Sequence, residues 1–394
     1  MRKIKIFDTT LRDGEQAPWF GMSKSSKVEI AKMLDEMGVD VIEAGFAASN
    51  GIDFEAIKAI SNEVKLATVC SLARLNKNDI DKAYEAIRDA RHKRIHVFIA
   101  TSDIHIKDKL HMTRDEVINC VHNMVRYAKS KVDDIEFSLE DATRSDKDFA
   151  CKVIDTAIEA GATTINIPDT VGYTEPDEFR DFLTYLKENS RLDEVDWSVH
   201  CHNDLGLAVA NTMTAIKCGA SQVEGTINGI GERAGNVDLI QVLANISVRN
   251  NIYDVYTDVT LAYSKKISQL VEDVTHQSVP KNYPVVGDNA FEEGAGIHQG
   301  GVAANEDTYH IMNNYSFGVP KRKFFLGNHT GHSAVAETIR ELGKDPSKYD
   351  VKYITMLIKS DCELRMEENN DNSPISPDSF YRIISNHKIK TFNK

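Results

Sequence analysis

From Ile4 to about Asn250 the chain repeats one unit: a short β-branched or apolar run, a polar turn, then a stretch with apolar residues three and four positions apart. The first pattern predicts strands and the second amphipathic helices. Their alternation predicts a parallel sheet, because parallel neighbours need a crossover and the usual crossover is a helix. Eight runs read as strands: Ile4 to Phe7, Val39 to Ala44, Leu66 to Ser71, Arg94 to Ala100, Asp134 to Ser138, Thr163 to Ile167, Val195 to Cys201 and Gln222 to Thr226. Helix ends fit this frame. Ser23 precedes Lys24 to Met37, Thr113 precedes Arg114 to Ser130, and Glu175-Pro176 opens a helix to Glu188. Gly38, Gly161 and Gly219 stand where a helix closes on left-handed backbone. Eight units in about 250 residues predict a closed (β/α)8 TIM barrel. An open doubly wound sheet carries a Gly-rich phosphate turn after its first strand, and no G-x-G-x-x-G follows Phe7.

Beyond Asn250 the pattern changes. Tyr253 to Val274 reads as helix, and Lys281 to Gly301 is rich in Gly, Asn and Pro. Asn305 to Asn314, Gly331 to Leu342 and Val351 to Lys359 read as helices, and Glu367 to Pro377 as an exposed loop. The expected organisation is a catalytic α/β barrel over 1–250, a linker helix and active-site loop region over 251–301, and a small helical C-terminal accessory subdomain over 302–394.

Composition narrows the class. With 41% hydrophobic and 27% charged residues, disordered and fibrous chains are excluded. The opening Met1-Arg2-Lys3-Ile4-Lys5-Ile6 alternates charged and apolar residues, and no apolar run is long enough for a bilayer, so the expectation is a cytoplasmic protein without a membrane partner. A net charge of −13 with scattered lysines and arginines speaks against nucleic acid. The six cysteines form no Cys-x-x-Cys pair, which predicts reduced thiols and neither a structural zinc site nor a redox dithiol.

Chemistry in such barrels sits at the carboxyl ends of the strands. His200 and His202 are two apart at the end of the seventh strand, so both imidazoles project from one face and can meet one ion, with Asp13 arriving from the first strand. A lone histidine would more simply be a hydrogen-bonded core side chain; the convergence favours ligands. Asn236 closes the Gly-rich run Asn228-Gly229-Ile230-Gly231-Glu232-Arg233-Ala234-Gly235-Asn236, which is either a plain tight turn or the source of an amide oxygen. The mixed nitrogen and oxygen set suits Mn2+, Mg2+ or Zn2+. Arg12 beside Asp13 needs a partner at a dry barrel mouth, and Glu43 at the end of the second strand is the candidate; the pair either serves the reaction or is purely structural. Glu140, Asp141, Asp169 and Thr170 complete a polar ring in which any single member could be a helix cap.

Four segments carry a family resemblance: Asp8-Thr9-Thr10-Leu11-Arg12-Asp13-Gly14-Glu15-Gln16, Asn166-Ile167-Pro168-Asp169-Thr170-Val171-Gly172-Tyr173, His200-Cys201-His202-Asn203-Asp204-Leu205-Gly206-Leu207-Ala208 and Gly231-Glu232-Arg233-Ala234-Gly235-Asn236. To about Leu342 the chain resembles the DRE-TIM metallolyases, and within them the 2-isopropylmalate, homocitrate and citramalate synthase group. The resemblance implies that Asp13, His200, His202 and Asn236 hold a divalent metal, with Mn2+ foremost. It implies that Arg12 contacts the polarised oxygen with Glu43 as its acidic partner, and that Glu140, Thr170, Ser138, His96 and Asn166 line the 2-oxo acid pocket. Ile297-His298-Gln299 resembles the segment that brings a catalytic histidine, His298, from the linker region of the other subunit of a homodimer, and Tyr309 matches a nearby catalytic tyrosine.

The activity so implied is an acyl transfer. A base takes a proton from the methyl of acetyl-CoA, the enolate attacks the carbonyl of a short 2-oxo acid, and thioester hydrolysis releases CoA. Asn166-Ile167-Pro168-Asp169-Thr170 resembles the 2-isopropylmalate branch more than the homocitrate branch, which implies 3-methyl-2-oxobutanoate as acceptor and leucine biosynthesis as setting. Homocitrate or citramalate synthesis is the alternative. Carbon-carbon cleavage of the hydroxymethylglutaryl-CoA lyase kind is the more remote one, since no cysteine-bearing Gly-rich loop stands between Gly287 and Gly301. Two segments depart from the family wording. Glu293 to Gly301 lacks the acid that follows the His-Gln pair, and Leu326 to His332 lacks the usual Lys and Arg, which bears on CoA contacts. Only about fifty residues follow Leu342, so the expectation is a short form without a leucine-binding regulatory domain.

Overall fold

Eight parallel strands close on one another in chain order: β1 (Lys5–Asp8), β2 (Val41–Glu43), β3 (Thr68–Arg74), β4 (Lys93–Ala100), β5 (Ile135–Glu140), β6 (Thr164–Asp169), β7 (Asp196–Cys201) and β8 (Gln222–Gly225), with β8 pairing back onto β1. This computed structural model describes residues 1–19, 21–320 and 326–388. Each strand is followed by a helix: α1 (Lys24–Met37), α2 (Gly51–Glu63), α3 (Lys77–Ile87), α4 (Arg114–Lys129), α5 (Lys147–Ala160), α6 (Pro176–Asn189), α7 (Ala208–Cys218) and α8 (Leu239–Val248). The (β/α)8 barrel expected from the periodicity is therefore the fold.

Local chemistry sets the helix ends. Ser23 Oγ accepts from Ser26 N at 3.1 Å, and Thr113 and Glu116 form a reciprocal capping box. Such caps satisfy donors that the first turn leaves without helical partners. Gly38, Gly161 and Gly219 all adopt the left-handed backbone expected of them.

The barrel interior is polar. Arg94 on β4 donates from Nη1 to Gln222 Oε1 on β8 at 2.8 Å, although β4 and β8 are not neighbours in the sheet, so these side chains meet inside the barrel. Strand alternation explains the sorting: Arg94 and His96 point inward while Ile95, Val97 and Ile99 are buried in the layer between sheet and helices.

The chain divides into two compact units, Met1–Val279 and the part from Pro280 onward. In the first unit the continuous helix expected from Tyr253 to Val274 is interrupted. Asn250–Tyr253 forms one helical turn, Asp254 turns left-handed at φ 50°, and Val255–Tyr256 pairs in parallel with Arg2–Lys3. Helix α9 starts only at Ser264 and runs to Thr275. Pairing with the amino terminus offers Val255 and Tyr256 long-range hydrogen bonds, such as Ile4 N to Tyr256 O at 2.8 Å, and these outweigh a local helical pattern.

In the second unit, α10 (Gly296–Ala304) occupies the end of the segment read as loop, whereas the helix expected over Asn305 to Asn314 reduces to a 3-10 turn, Glu306–Thr308. Asn305 caps that turn, its side chain accepting from Asp307 N, and so ends one element instead of continuing it. Helices α11 (His332–Glu341), α12 (Val351–Asn369) and α13 (Pro377–Asn386) follow, the last beginning where a loop was expected to end. Val335, Ile339, Ile354, Ile358, Phe380 and Ile384 form their shared core. No helix among the described residues is long and apolar enough to cross a membrane.

Candidate metal centre and active-site cleft

A cleft of about 260 Å3 opens at the carboxyl ends of the strands, lined by Arg12, Asp13, Gln16, Leu72, His96, Phe98, Lys109, Ser138, Glu140, Asn166, Pro168, Thr170, His200, His202, Glu224, Glu232 and Arg233. Most of the barrel residues singled out from the sequence line it. Glu43 and Asn236 lie just behind. Asp141 and Asp169, the other two members of the predicted ring, are fully buried and serve the scaffold: Asp141 takes Arg144 and His105, and Asp169 accepts from Thr143 Oγ1 and Thr174 N.

Asp13, His200 and His202 offer ligand atoms that all lie within 4.8 Å of one another. The two imidazoles face each other with Nε2 atoms 3.3 Å apart, and Asp13 Oδ2 lies 3.5 Å from one and 4.0 Å from the other. Asn236 Nδ2 donates to Asp13 Oδ1 at 2.8 Å, while its Oδ1 is buried without a hydrogen-bond partner. An amide oxygen left unsatisfied at such depth is costly unless something electropositive meets it. The local backbone serves this cluster. Gly231 sits at φ 154°, and a Cβ there would fall 2.2 Å from Asn236 Nδ2 and 3.2 Å from Asp13 Oδ1. No other residue fits without displacing both groups.

Electrostatics point the same way. Burial works against ionisation of Asp13, yet Arg12 and the two histidines hold its carboxyl well below the usual range. Burial also penalises a charged His200, but Asp13 and Glu224 raise its pKa to about 9. His202 is driven down to about 4, first by burial and then by His200. The pocket thus attracts one positive charge and keeps one imidazole neutral. An ionised carboxylate, a neutral imidazole and an orphaned amide oxygen are what a divalent cation requires, and the residues fit one.

Next to the cluster, Arg12 bridges two carboxylates, with Nε on Glu43 Oε2 at 2.6 Å and Nη1 on Asp13 Oδ2 at 2.5 Å. Glu43 is fully buried and also meets Thr9 Oγ1 at 2.7 Å and His96 Nδ1 at 2.7 Å. Burial opposes its charge, but Arg12 and His96 overcome this and bring its pKa to about 2. The chain continues from His96 Nε2 to Ser138 Oγ at 2.6 Å, which in turn accepts from Asn166 Nδ2 at 2.8 Å. One hydrogen-bonded line therefore joins Asp13, Arg12, Glu43, His96, Ser138 and Asn166. Glu140 is held by Lys109 Nζ at 2.5 Å, and Thr170 Oγ1 accepts from Asp141 N at 2.9 Å.

His298 and Tyr309 belong to the second unit. His298 is exposed on α10, and its ring centroid lies 4.4 Å from that of Tyr309 at an interplanar angle of 35°. The residues that sequence reasoning missed are Gln16, the apolar wall of Leu72, Phe98 and Pro168, the basic Lys109 and Arg233, and the acids Glu224 and Glu232. A signal was available for several. Ser198-x-His200-x-His202 and Gln222-x-Glu224 carry polar residues at alternate positions of otherwise apolar strands, Arg94 and His96 do the same with Phe98 next in that register, and alternate positions share a face.

Comparison with known proteins agrees with this picture. Residues 3–271 match the HMGL-like family, and residues 285–366 match the homocitrate synthase post-HMGL domain-like family. A 2-isopropylmalate synthase of Pyrococcus furiosus is 51% identical over 89% of this chain and 70% of its own length. Those of Oceanobacillus iheyensis and Aquifex aeolicus are 47% and 46% identical, over 94% and 99% of this chain and 72% and 76% of theirs. Among solved structures, the HMG-CoA lyase of Bacillus subtilis superposes with a TM-score of 0.61 at 20% identity, covering 71% of this chain and 96% of the lyase. At that identity the likeness speaks for the fold alone.

Proposed function

Because the chain belongs to the HMGL-like family, the DRE-TIM metallolyases, we propose that it condenses acetyl-CoA with 3-methyl-2-oxobutanoate to give 2-isopropylmalate and free CoA, in the cytoplasm and as a step of leucine synthesis. The observation that carries this reading is one cleft combining Asp13, His200, His202 and Arg12 with an apolar wall of Leu72, Phe98 and Pro168. A branched alkyl group suits that wall. The second carboxylate of 2-oxoglutarate, the acceptor for homocitrate, would need its own cation. The other basic groups lining the cleft, Lys109 and Arg233, are already engaged by Glu140 and by Asp204.

In this reading Asp13, His200, His202 and Asn236 hold a divalent ion, Mn2+ being the best match to a mixed oxygen and imidazole set with room for substrate. When bound, the ion supplies Lewis-acid charge at the carbonyl of the oxo acid. Arg12 directs its remaining N–H donors at the oxygen on which negative charge develops, and Glu43 fixes the guanidinium in that pose. Ser138, Asn166, His96, Thr170 and Glu140 orient the oxo acid. His298 removes a proton from the acetyl methyl group, with Tyr309 against its ring. The family resemblance supports a homodimer in which one subunit's linker region serves its neighbour.

Two measurements test the reading. Free-thiol release from acetyl-CoA is expected to be fastest with 3-methyl-2-oxobutanoate across a panel including pyruvate and 2-oxoglutarate. A preference for either of those would overturn the acceptor, and no release with any oxo acid would overturn acyl transfer itself. His298→Ala is expected to slow turnover by ~100-fold or more while sparing oxo acid binding. Exchange of the acetyl methyl protons into deuterated solvent at the wild-type rate would show that another group is the base.

A further inference from the structure

The two histidines of the cluster are not held alike. His202 Nδ1 is buried without a hydrogen-bond partner, whereas His200 Nδ1 lies 3.2 Å from Glu224 Oε2. Glu224, on β8, is fully buried. Its Oε1 accepts from Ser198 Oγ at 3.1 Å, and Oε2 is buried without a hydrogen bond of full geometry from any described group, His200 Nδ1 standing 3.2 Å away. Beneath it, Gln222 Nε2 donates to Ser198 Oγ at 3.2 Å and to Glu136 at 3.0 and 3.1 Å, and Arg94 Nη1 holds Glu136 at 2.6 Å. Glu224 is thus anchored through one oxygen to a network that runs down the barrel interior, and its other oxygen is presented to His200.

A carboxylate at this depth is retained where a donor or a cation meets it. Two donors stand beside it, the Nδ1 of His200 and the carboxyl of Glu136, which burial and the charge of Glu224 hold toward its protonated form, and of these only the imidazole belongs to the ligand cluster. An imidazole that coordinates through Nε2 must keep its proton on Nδ1, and an acceptor at Nδ1 both selects that tautomer and stops the ring from turning over. Nε2 of His200 is the nitrogen that faces His202 and Asp13.

We propose that Glu224 is the positioning residue of the metal centre, holding the His200 proton on Nδ1 and so aiming Nε2 at the cation. The proposal rests on reading Asp13, His200 and His202 as ligands. It assigns the two imidazoles different duties: His200 is fixed in advance by the barrel, and His202 adjusts to whatever is bound.

The test compares the full-length wild-type chain with Glu224→Ala and with Glu224→Gln, which keeps the side-chain volume. Mn2+ affinity, measured calorimetrically on metal-stripped protein, is expected to fall by ~10–100-fold in Glu224→Ala and by less in Glu224→Gln. Labelling histidine with 15N gives a second readout that needs no metal. At about pH 10, where an imidazole is neutral, His200 is expected to be the Nδ1–H tautomer in the wild type and a mixture in Glu224→Ala. Unchanged Mn2+ affinity and an unchanged tautomer in both variants would overturn the positioning role while leaving the ligand assignment standing. Failure of the wild type itself to bind Mn2+ would overturn the ligand assignment, and this proposal with it. A glutamate that merely fills space would leave the tautomer of the folded Gln variant and its Mn2+ affinity where they were.

Discussion

Replacing His202 by alanine is expected to strip most bound metal from the protein and to abolish thiol release. The imidazole supplies one of only two nitrogens in the cluster, and its Nε2 sits 3.3 Å from that of His200. Loss of a direct ligand is expected to weaken metal affinity by more than the ~100-fold that follows from disturbing the shell around one. The fold should survive, because His202 Nδ1 makes no hydrogen bond that the variant would break and the ring is held neutral by its surroundings. Metal content by mass spectrometry and activity against added Mn2+ are the two readouts. Full activity with unchanged metal content would sink the ligand assignment.

Changing Arg12 to Gln is expected to cost ~100–1,000-fold in kcat, as loss of a preorganised donor at developing negative charge typically does. It should leave metal content largely intact. Thermal stability is also expected to fall. Arg12 is the cation between the buried Glu43 and Asp13, and breaking a buried ion pair from one side costs roughly 3–5 kcal/mol because a charge is left uncompensated. Lysine should not rescue the rate: a single ammonium cannot bridge two carboxylates through a planar fork and still aim donors at substrate. Steady-state kinetics with varied oxo acid decide the role. A rise in KM at constant kcat would mean that Arg12 binds substrate without acting in the transition state.

The barrel and its metal-ligand candidates were legible in the sequence for a common reason. Helix and strand periods are local, so eight repeats could be counted from apolar spacing, and the location of barrel chemistry at strand ends follows from the fold once the strands are known. His200 and His202 were readable because a two-residue period, carried one step past the end of β7, puts both imidazoles on one side. Asp13 and Arg12 were readable because adjacent opposite charges directly after β1 are costly to hold at a dry barrel mouth unless they meet a partner or a ligand there. The segments from Tyr253 to Val274 and Asn305 to Asn314 were not, since their local patterns suit a helix while a pairing with Arg2–Lys3 and a cap at Asn305 decide otherwise. A partner some 250 residues away leaves no mark in a local window.

What the sequence determined by itself is therefore the order of the barrel's strands and helices, its closure and the metal-ligand candidates at its mouth, because each of these depends on spacing along the chain. What only the tertiary structure decided is which of those side chains touch. It joined Arg12 through Glu43, His96 and Ser138 to Asn166, turned the Asn236 amide nitrogen onto Asp13 with its oxygen buried and without a donor, and set Glu224 against His200 and not His202. The reason is geometric. Contacts across a barrel depend on the stagger between strands far apart in sequence, and on 3 Å distances that periodicity alone does not encode.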